Sequence, residues 1–269
     1  MFWAGSGNSA NKGIININGK NSSLHVRNEI IESSPYIEDG VVDGNVYLGY
    51  LGDADVNISN GGSFITGRMI ASFARKNDDI NSLVKTPTVN INVTGSGSKL
   101  GIQSLLALAS SEGGNVFSID FHAQTKGVGT AVLTVEDGAE VYFEGKAYMA
   151  ADGFGERTSG LFLASDLGSS ATVNLNSGGT ISISDSSLSP TKDGIVAGDG
   201  SYDFNLNGGT LRVNSCEYCD NKLTTAVNMN VLSESVLEAD TDKKMMLNGN
   251  LVGNGGLVKT GEGTVIFFR

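Results

Sequence analysis

The sequence predicts an all-β chain whose short strands stack in parallel along a solenoid, and three observations carry that prediction. One strand–corner–strand phrase returns along the whole length, aromatic residues make up only 7% of the chain, and 37 glycines stand beside 3 prolines. Strands that bond to copies of themselves need small corners, and central ladder positions exclude proline.

The phrase reads "VNISNGGSFITG" from Val56, "VNINVTGSGSKLGI" from Val89 and "AVLTVEDGAEVYFEG" from Ala131. It returns as "ATVNLNSGGTISIS" from Ala171 and "YDFNLNGGTLRVN" from Tyr202, with weaker copies from Gly13 and Val227. Period-two alternation assigns Ile58, Phe64, Val132, Val141, Val173, Leu175, Ile181, Ile183, Phe204, Leu206 and Leu211 to one face. Asn, Ser, Thr, Glu and Asp occupy the other. The corners Gly61-Gly62, Asp137-Gly138, Gly178-Gly179 and Gly208-Gly209 suit left-handed or crowded backbone.

The phrases recur at intervals of roughly 30 to 43 residues, with apolar stretches such as "GNVYLGYL", "SGLFLAS" and "DGIVAG" between them. A coil of about 20 to 25 residues is the unit this implies, giving about a dozen coils with loop excursions. An antiparallel sandwich of hairpins is the rival, since hairpins also favour Asn-Gly and Asp-Gly corners. Few aromatics and short, uniform, Asn- and Ser-rich strands favour stacked ladders instead.

A hydrophobic share of 39% suffices for a core and argues against disorder. The formal net charge of −11 excludes nucleic acid as the expected partner. No apolar run is long enough for a spanning helix, so no direct membrane insertion is expected.

Residues 253–267, "GNGGLVKTGEGTVIF", are the most specific stretch. Gly253, Gly255, Leu257, Lys259, Gly261, Gly263 and Thr264 follow the order of the passenger-associated transport repeat, which they resemble. Val265 and Phe267 stand where that repeat usually has leucines. "GNVYLGYLGDADVNISNGGSF" and its relatives are similar to the passenger repeats of AIDA-type autotransporters, a family of self-associating proteins and adhesins. The resemblance implies a right-handed, single-stranded parallel β-helix, with residues 1–269 a single passenger fragment. The signal peptide and C-terminal β-barrel translocator of such proteins are absent from this stretch. It further implies export through the periplasm and outer membrane of a Gram-negative bacterium to the cell surface. Adhesion, aggregation and biofilm formation are the implied roles, without enzymatic activity or cofactor. The implied partners are another copy on a neighbouring cell, host glycans or matrix proteins.

β-Helices also carry polysaccharide lyases and hydrolases, which is the alternative function. No G-x-S-x-G supports a nucleophile, and Asp78-Asp79 and Asp240/Asp242 read as solvated loop charges, so no catalytic residue is assigned. Cys216 and Cys219 form a C-x-x-C with only His25 and His122 as further soft ligands, both distant in sequence. Without a βαβ context the expected state is a tight disulfide. "GDGSYD" from Gly198 offers oxygen ligands but no repeating nonapeptide, so no metal is expected. Two binding surfaces remain. One is the segment "RMIASFARKNDDINSLVKTP", where Arg68, Arg75 and Lys76 form a basic cluster beside Asp78 and Asp79. The other is the flank of the stack, with its rows of Asn, Thr, Ser and Asp.

Overall fold

The structure, a computed structural model, describes residues 2–5, 12–26, 41–42, 44–49, 52–72, 86–109, 129–148, 159–188 and 194–268. None of these residues is helical, and every strand pair among them is parallel. That excludes hairpins as the unit.

The chain runs through three ladders in turn and then repeats. The first ladder is an eight-stranded sheet of Lys12–Asn18, Asp53–Ser59, Thr88–Thr94, Thr130–Glu136, Ser170–Asn176, Ser201–Asn207, Met229–Val231 and Leu251–Val252. A corner leads to the second ladder, built from Ser23–Val26, Glu140–Phe143, Thr180–Ile183, Thr210–Val213, Ser235–Glu238 and Leu257–Thr260. The third holds Phe2–Ala4, Asn45–Leu48, Gly160–Leu163, Ile195–Ala197, Lys222–Thr225, Lys244–Leu247 and Thr264–Phe267. Two long strands, Ser63–Ala71 and Lys99–Leu108, belong to both, with a register shift between Thr66 and Arg68 where the chain turns from one to the other.

In the first ladder the paired residues Asn16, Asn57, Asn92, Thr134, Asn174, Asn205, Asn230 and Val252 place successive circuits 41, 35, 42, 40, 31, 25 and 22 residues apart. Eight circuits therefore stack among the described residues, where about a dozen were expected. Only the last two spacings match the expected unit. The longer circuits have more residues between their ladder strands, and the recurring phrase covers the first and second ladders of one circuit.

The corners between first and second ladders explain their sequences. Asn60 and Gly61 have φ of 52° and 83°, and Asp137 and Gly138 have 56° and 82°. Each pair closes a turn through Gly62 N–H to Ser59 O at 3.0 Å and Ala139 N–H to Glu136 O at 3.1 Å. Successive left-handed residues are the chemistry of a type I′ turn, here redirecting the chain into a different sheet.

Inside the three ladders side chains form continuous columns. Phe64, Leu100, Val141, Ile181, Leu211 and Leu237 stack in register and are all buried. Ile58, Val173, Leu175, Ile183, Phe204 and Leu206 are buried as predicted. Val132 is the exception. Ala131, Leu133 and Val135 are buried instead, and Val132 faces outward opposite Asn90 and Thr172. Three apolar residues in a row leave the parity of that strand open, and the Asp137-Gly138 corner fixes it.

The third ladder has a second apolar layer on its outer side. Tyr47, Ile70, Leu105, Ala107 and Phe162 are buried there, with Val196 against them. Around that layer Asn45–Leu48, Lys99–Leu108 and Gly160–Leu163 are buried on both faces and show no alternation, as in any doubly covered parallel sheet, whereas Lys222–Thr225 and Lys244–Leu247 alternate.

Candidate binding face

Most side chains on the outer side of the first ladder are short and polar, with Ile14 and Val132 among the exceptions, and the parallel register makes the polar ones regular. Every residue of a strand stands above its counterpart one circuit away, so like side chains form rows about 4.8 Å apart. Asn57 Nδ2 donates to Asn16 Oδ1 and Asn92 Nδ2 to Asn57 Oδ1, both at 2.9 Å. Thr134 interrupts the row. It resumes with Asn205 Nδ2 to Asn174 Oδ1 at 2.9 Å and Asn230 Nδ2 to Asn205 Oδ1 at 3.0 Å. Beside it, Asn207 donates to Asn176 at 3.1 Å, and Asn176 to Glu136 Oε2 at 2.9 Å. An amide that spends one N–H and one lone pair along the row retains one of each to offer outward.

A third row on this face carries charge. Asp55 accepts from Asn90 Nδ2 at 3.0 Å and pairs with Lys12 at 2.5 Å. Burial raises the Asp55 carboxyl, but the Lys12 and Asn90 hydrogen bonds outweigh it and hold the group below its ordinary value. Its stabilisation is present above the ordinary carboxyl range and is lost as pH falls through the lowered value. Lys12 is half-exposed, so the effect is small. Asp203, in the same row, accepts from Asn230 Nδ2 at 3.4 Å.

Replacing Asn57 with alanine removes both its donor and its acceptor. It is expected to cost about 1 kcal/mol, read as a lower urea midpoint with unchanged slope.

The outer side of the second ladder differs, because its charges are satisfied internally. Glu140 pairs with Lys99 at 3.9 Å and with Arg212 at 3.7 Å, Arg212 with Glu238 at 3.0 Å, and Ser182 Oγ donates to Glu140 at 2.8 Å.

A scan against protein-family models and searches among curated proteins and solved structures find no match to this chain. The site rests on its own geometry.

The residues singled out in the sequence fall in different places. Arg68 lies in the strand Ser63–Ala71, not on a loop, and is 7% exposed. Its Nε donates to Asn45 Oδ1 at 3.0 Å and its Nη2 to Tyr47 Oη at 2.7 Å, with the guanidinium 5.7 Å from the Tyr47 ring centroid. This corrects the reading of residues 68–76 as one basic loop: Arg68 anchors the outer apolar layer of the third ladder. Arg75, Lys76, Asp78 and Asp79 lie outside the described residues, as does His122. His25 is exposed on a second-ladder strand. Asp240 and Asp242 occupy an exposed turn closed by Lys243 N–H to Asp240 O at 2.9 Å. In "GDGSYD", Asp199 sits in a corner and Asp203 on the polar face.

Cys216 and Cys219 are joined as a disulfide, with Cys216 Sγ 3.0 Å from Glu144 O two circuits away. Close by is Asp185, which sequence reasoning missed. It is fully buried and its carboxylate accepts from Gly194 N–H and Thr224 N–H at 2.8 Å and from Thr224 Oγ1 at 2.7 Å, with Lys222 Nζ 3.5 Å away. Its neighbours "SDSS" look like any polar corner, so no local signal marks it.

Proposed function

We propose that this chain is a right-handed parallel β-helix serving as the surface-exposed passenger of an AIDA-type autotransporter. It is a non-enzymatic adhesin that mediates cell adhesion, aggregation and biofilm formation. Its partners are another copy on a neighbouring cell and host-surface glycans or matrix proteins. The observation that carries this reading is the polar face of the first ladder. Its amide rows repeat from circuit to circuit, each retaining hydrogen-bonding capacity toward solvent. One such contact is weak. A rigid row of them, multiplied over many copies per cell, gains strength through effective concentration.

The motif at residues 253–267 also supports the reading. Leu257–Thr260 and Thr264–Phe267 continue the second and third ladders in register on Ser235–Glu238 and Lys244–Leu247. Leu257 and Val265 pack against the core. Phe267 shares their inward orientation above Leu247 but is 52% exposed.

The test is surface display in a non-aggregating strain, scored for settling and for binding to glycan and matrix arrays. Displayed chains are expected to settle the cells, and the triple variant Asn57→Ala, Asn92→Ala, Asn205→Ala to slow that settling at equal display level. Array binding without settling would leave host attachment and remove self-association. Absence of both settling and array binding would overturn the proposal.

A further inference from the structure

Three outgrowths meet where the second ladder gives way to the third. Residues 144–146 belong to the fourth circuit, 184–188 to the fifth and 214–222 to the sixth. The disulfide loop touches both of the others. Cys216 Sγ lies against Glu144 O, and a Cβ added to Gly145 would stand 3.0 Å from both Cys216 Sγ and Tyr218 O. Ser187 N–H donates to Tyr218 O at 2.9 Å, Asp220 N–H to Asp185 O at 2.9 Å and Asp185 N–H to Lys222 O at 2.7 Å. Ser186 Oγ donates to Gly145 O at 2.6 Å, closing the triangle. Asn214 adds a brace, its Nδ2 donating to Phe143 O at 2.6 Å while its carbonyl accepts from Ser184 Oγ at 2.7 Å. The fourth-circuit outgrowth continues directly into Ala147–Tyr148, which pairs in parallel with Val41–Val42 of the first circuit. One edge of the stack is thus laced from the first circuit to the sixth, and the Cys216–Cys219 loop supplies part of that lacing beside Ser186 and Asn214.

We propose that this loop is a redox-sensitive clasp, whose reduction loosens its hold on the outgrowth of the fifth circuit while leaving the three ladders intact. Both cysteines are only partly buried, so a small thiol can reach the bond. A dithiol attacks one cystine sulfur as its thiolate, forming a mixed disulfide and freeing the other cysteine. Its second thiol then attacks the dithiol sulfur of that mixed disulfide and expels the remaining cysteine, so the cystine gains two electrons and two protons and the dithiol leaves as a cyclic disulfide. The ladders' own hydrogen bonds do not pass through the cysteines, which lie outside the strands. The clasp is independent of which partner the polar face binds.

Hydrogen exchange on the native chain tests this, with and without a millimolar dithiol, two alkylated thiols by mass confirming reduction. The amides of Ser187, Cys219 and Asp220 are expected to exchange about twentyfold faster after reduction, the factor by which closing so short a loop restricts an open chain. The amides of Asn174 and Ile181, within the ladders, should keep their rates. The double variant Cys216→Ser, Cys219→Ser should show the reduced pattern without reductant. A disulfide that survives the dithiol in the folded chain would overturn the proposal. So would unchanged exchange after two alkylations, or equal acceleration in the ladders.

Discussion

Replacing Gly179 with valine is expected to lower the unfolding free energy by about 4 kcal/mol or more, among the larger effects a single substitution produces. A Cβ at this residue would stand 2.2 Å from Val135 O, 2.5 Å from Val135 C and 2.8 Å from Glu136 N. All three are backbone atoms of the preceding circuit, and moving them would break the pairing of Thr130–Glu136 with its two neighbours. The requirement is for space, since Gly179 has no left-handed φ, unlike Gly178 at 77°. One circuit earlier Ala139 fills the equivalent corner at 1% exposure, so smallness at this corner, not glycine everywhere, is what stacking demands. Thermal or urea unfolding of Gly179→Val beside Gly179→Ala checks the point. A valine variant within about 1 kcal/mol of wild type would show that the circuits are not packed as closely as this.

Strands with one wet face were legible in the sequence because burial imposes a period of two on them. Ile58, Val173 and Phe204 could be assigned inward, and the asparagines opposite them outward, without coordinates. The polar rows followed from the same pattern, since residues aligned on their corners are the residues that stack. Legibility failed where burial is two-sided. "NVYL", "GLFL" and "SLLAL" carry no period, so the outer apolar layer around Tyr47 and Phe162 left no trace, and Arg68 at its border was assigned to a loop. Circuit length was misjudged for a related reason. Stacked parallel ladders tolerate long insertions between their strands at low entropic cost, so spacing reports the circuit plus any insertion, not the circuit alone. The polar groups that brace the outgrowths were hidden because their partners lie one or two circuits away. Asn214 finds Phe143, and Asp185 finds Thr224, across 71 and 39 residues.

Asp185 carries the second large expected effect: substitution by alanine should cost about 3 to 5 kcal/mol, while asparagine should cost about 1 kcal/mol. Alanine leaves the N–H groups of Gly194 and Thr224 and the Thr224 hydroxyl without their acceptor, and strips Lys222 of its counter-charge. Asparagine keeps most of these. Its Oδ1 can accept both backbone N–H groups, and its Nδ2 can donate to Thr224 Oγ1 in a reversed hydrogen bond. The two substitutions therefore separate lost hydrogen bonds from lost charge. The charge itself is a liability in this site. Burial pushes the Asp185 carboxyl above its ordinary value of 3.8, against the opposing pull of Thr224, Gly194 and Lys222. A raised carboxyl binds its proton more tightly in the folded chain, so its stabilisation is full below the ordinary value and is lost as pH rises through the raised one. Wild type should accordingly lose stability relative to Asp185→Asn as pH rises from 3.8 into the weakly acidic range. Paired urea titrations across that range read the difference directly. A wild type that instead gains on the asparagine variant over the same range would mean that the three hydrogen bonds and Lys222 together outweigh the desolvation of the carboxylate.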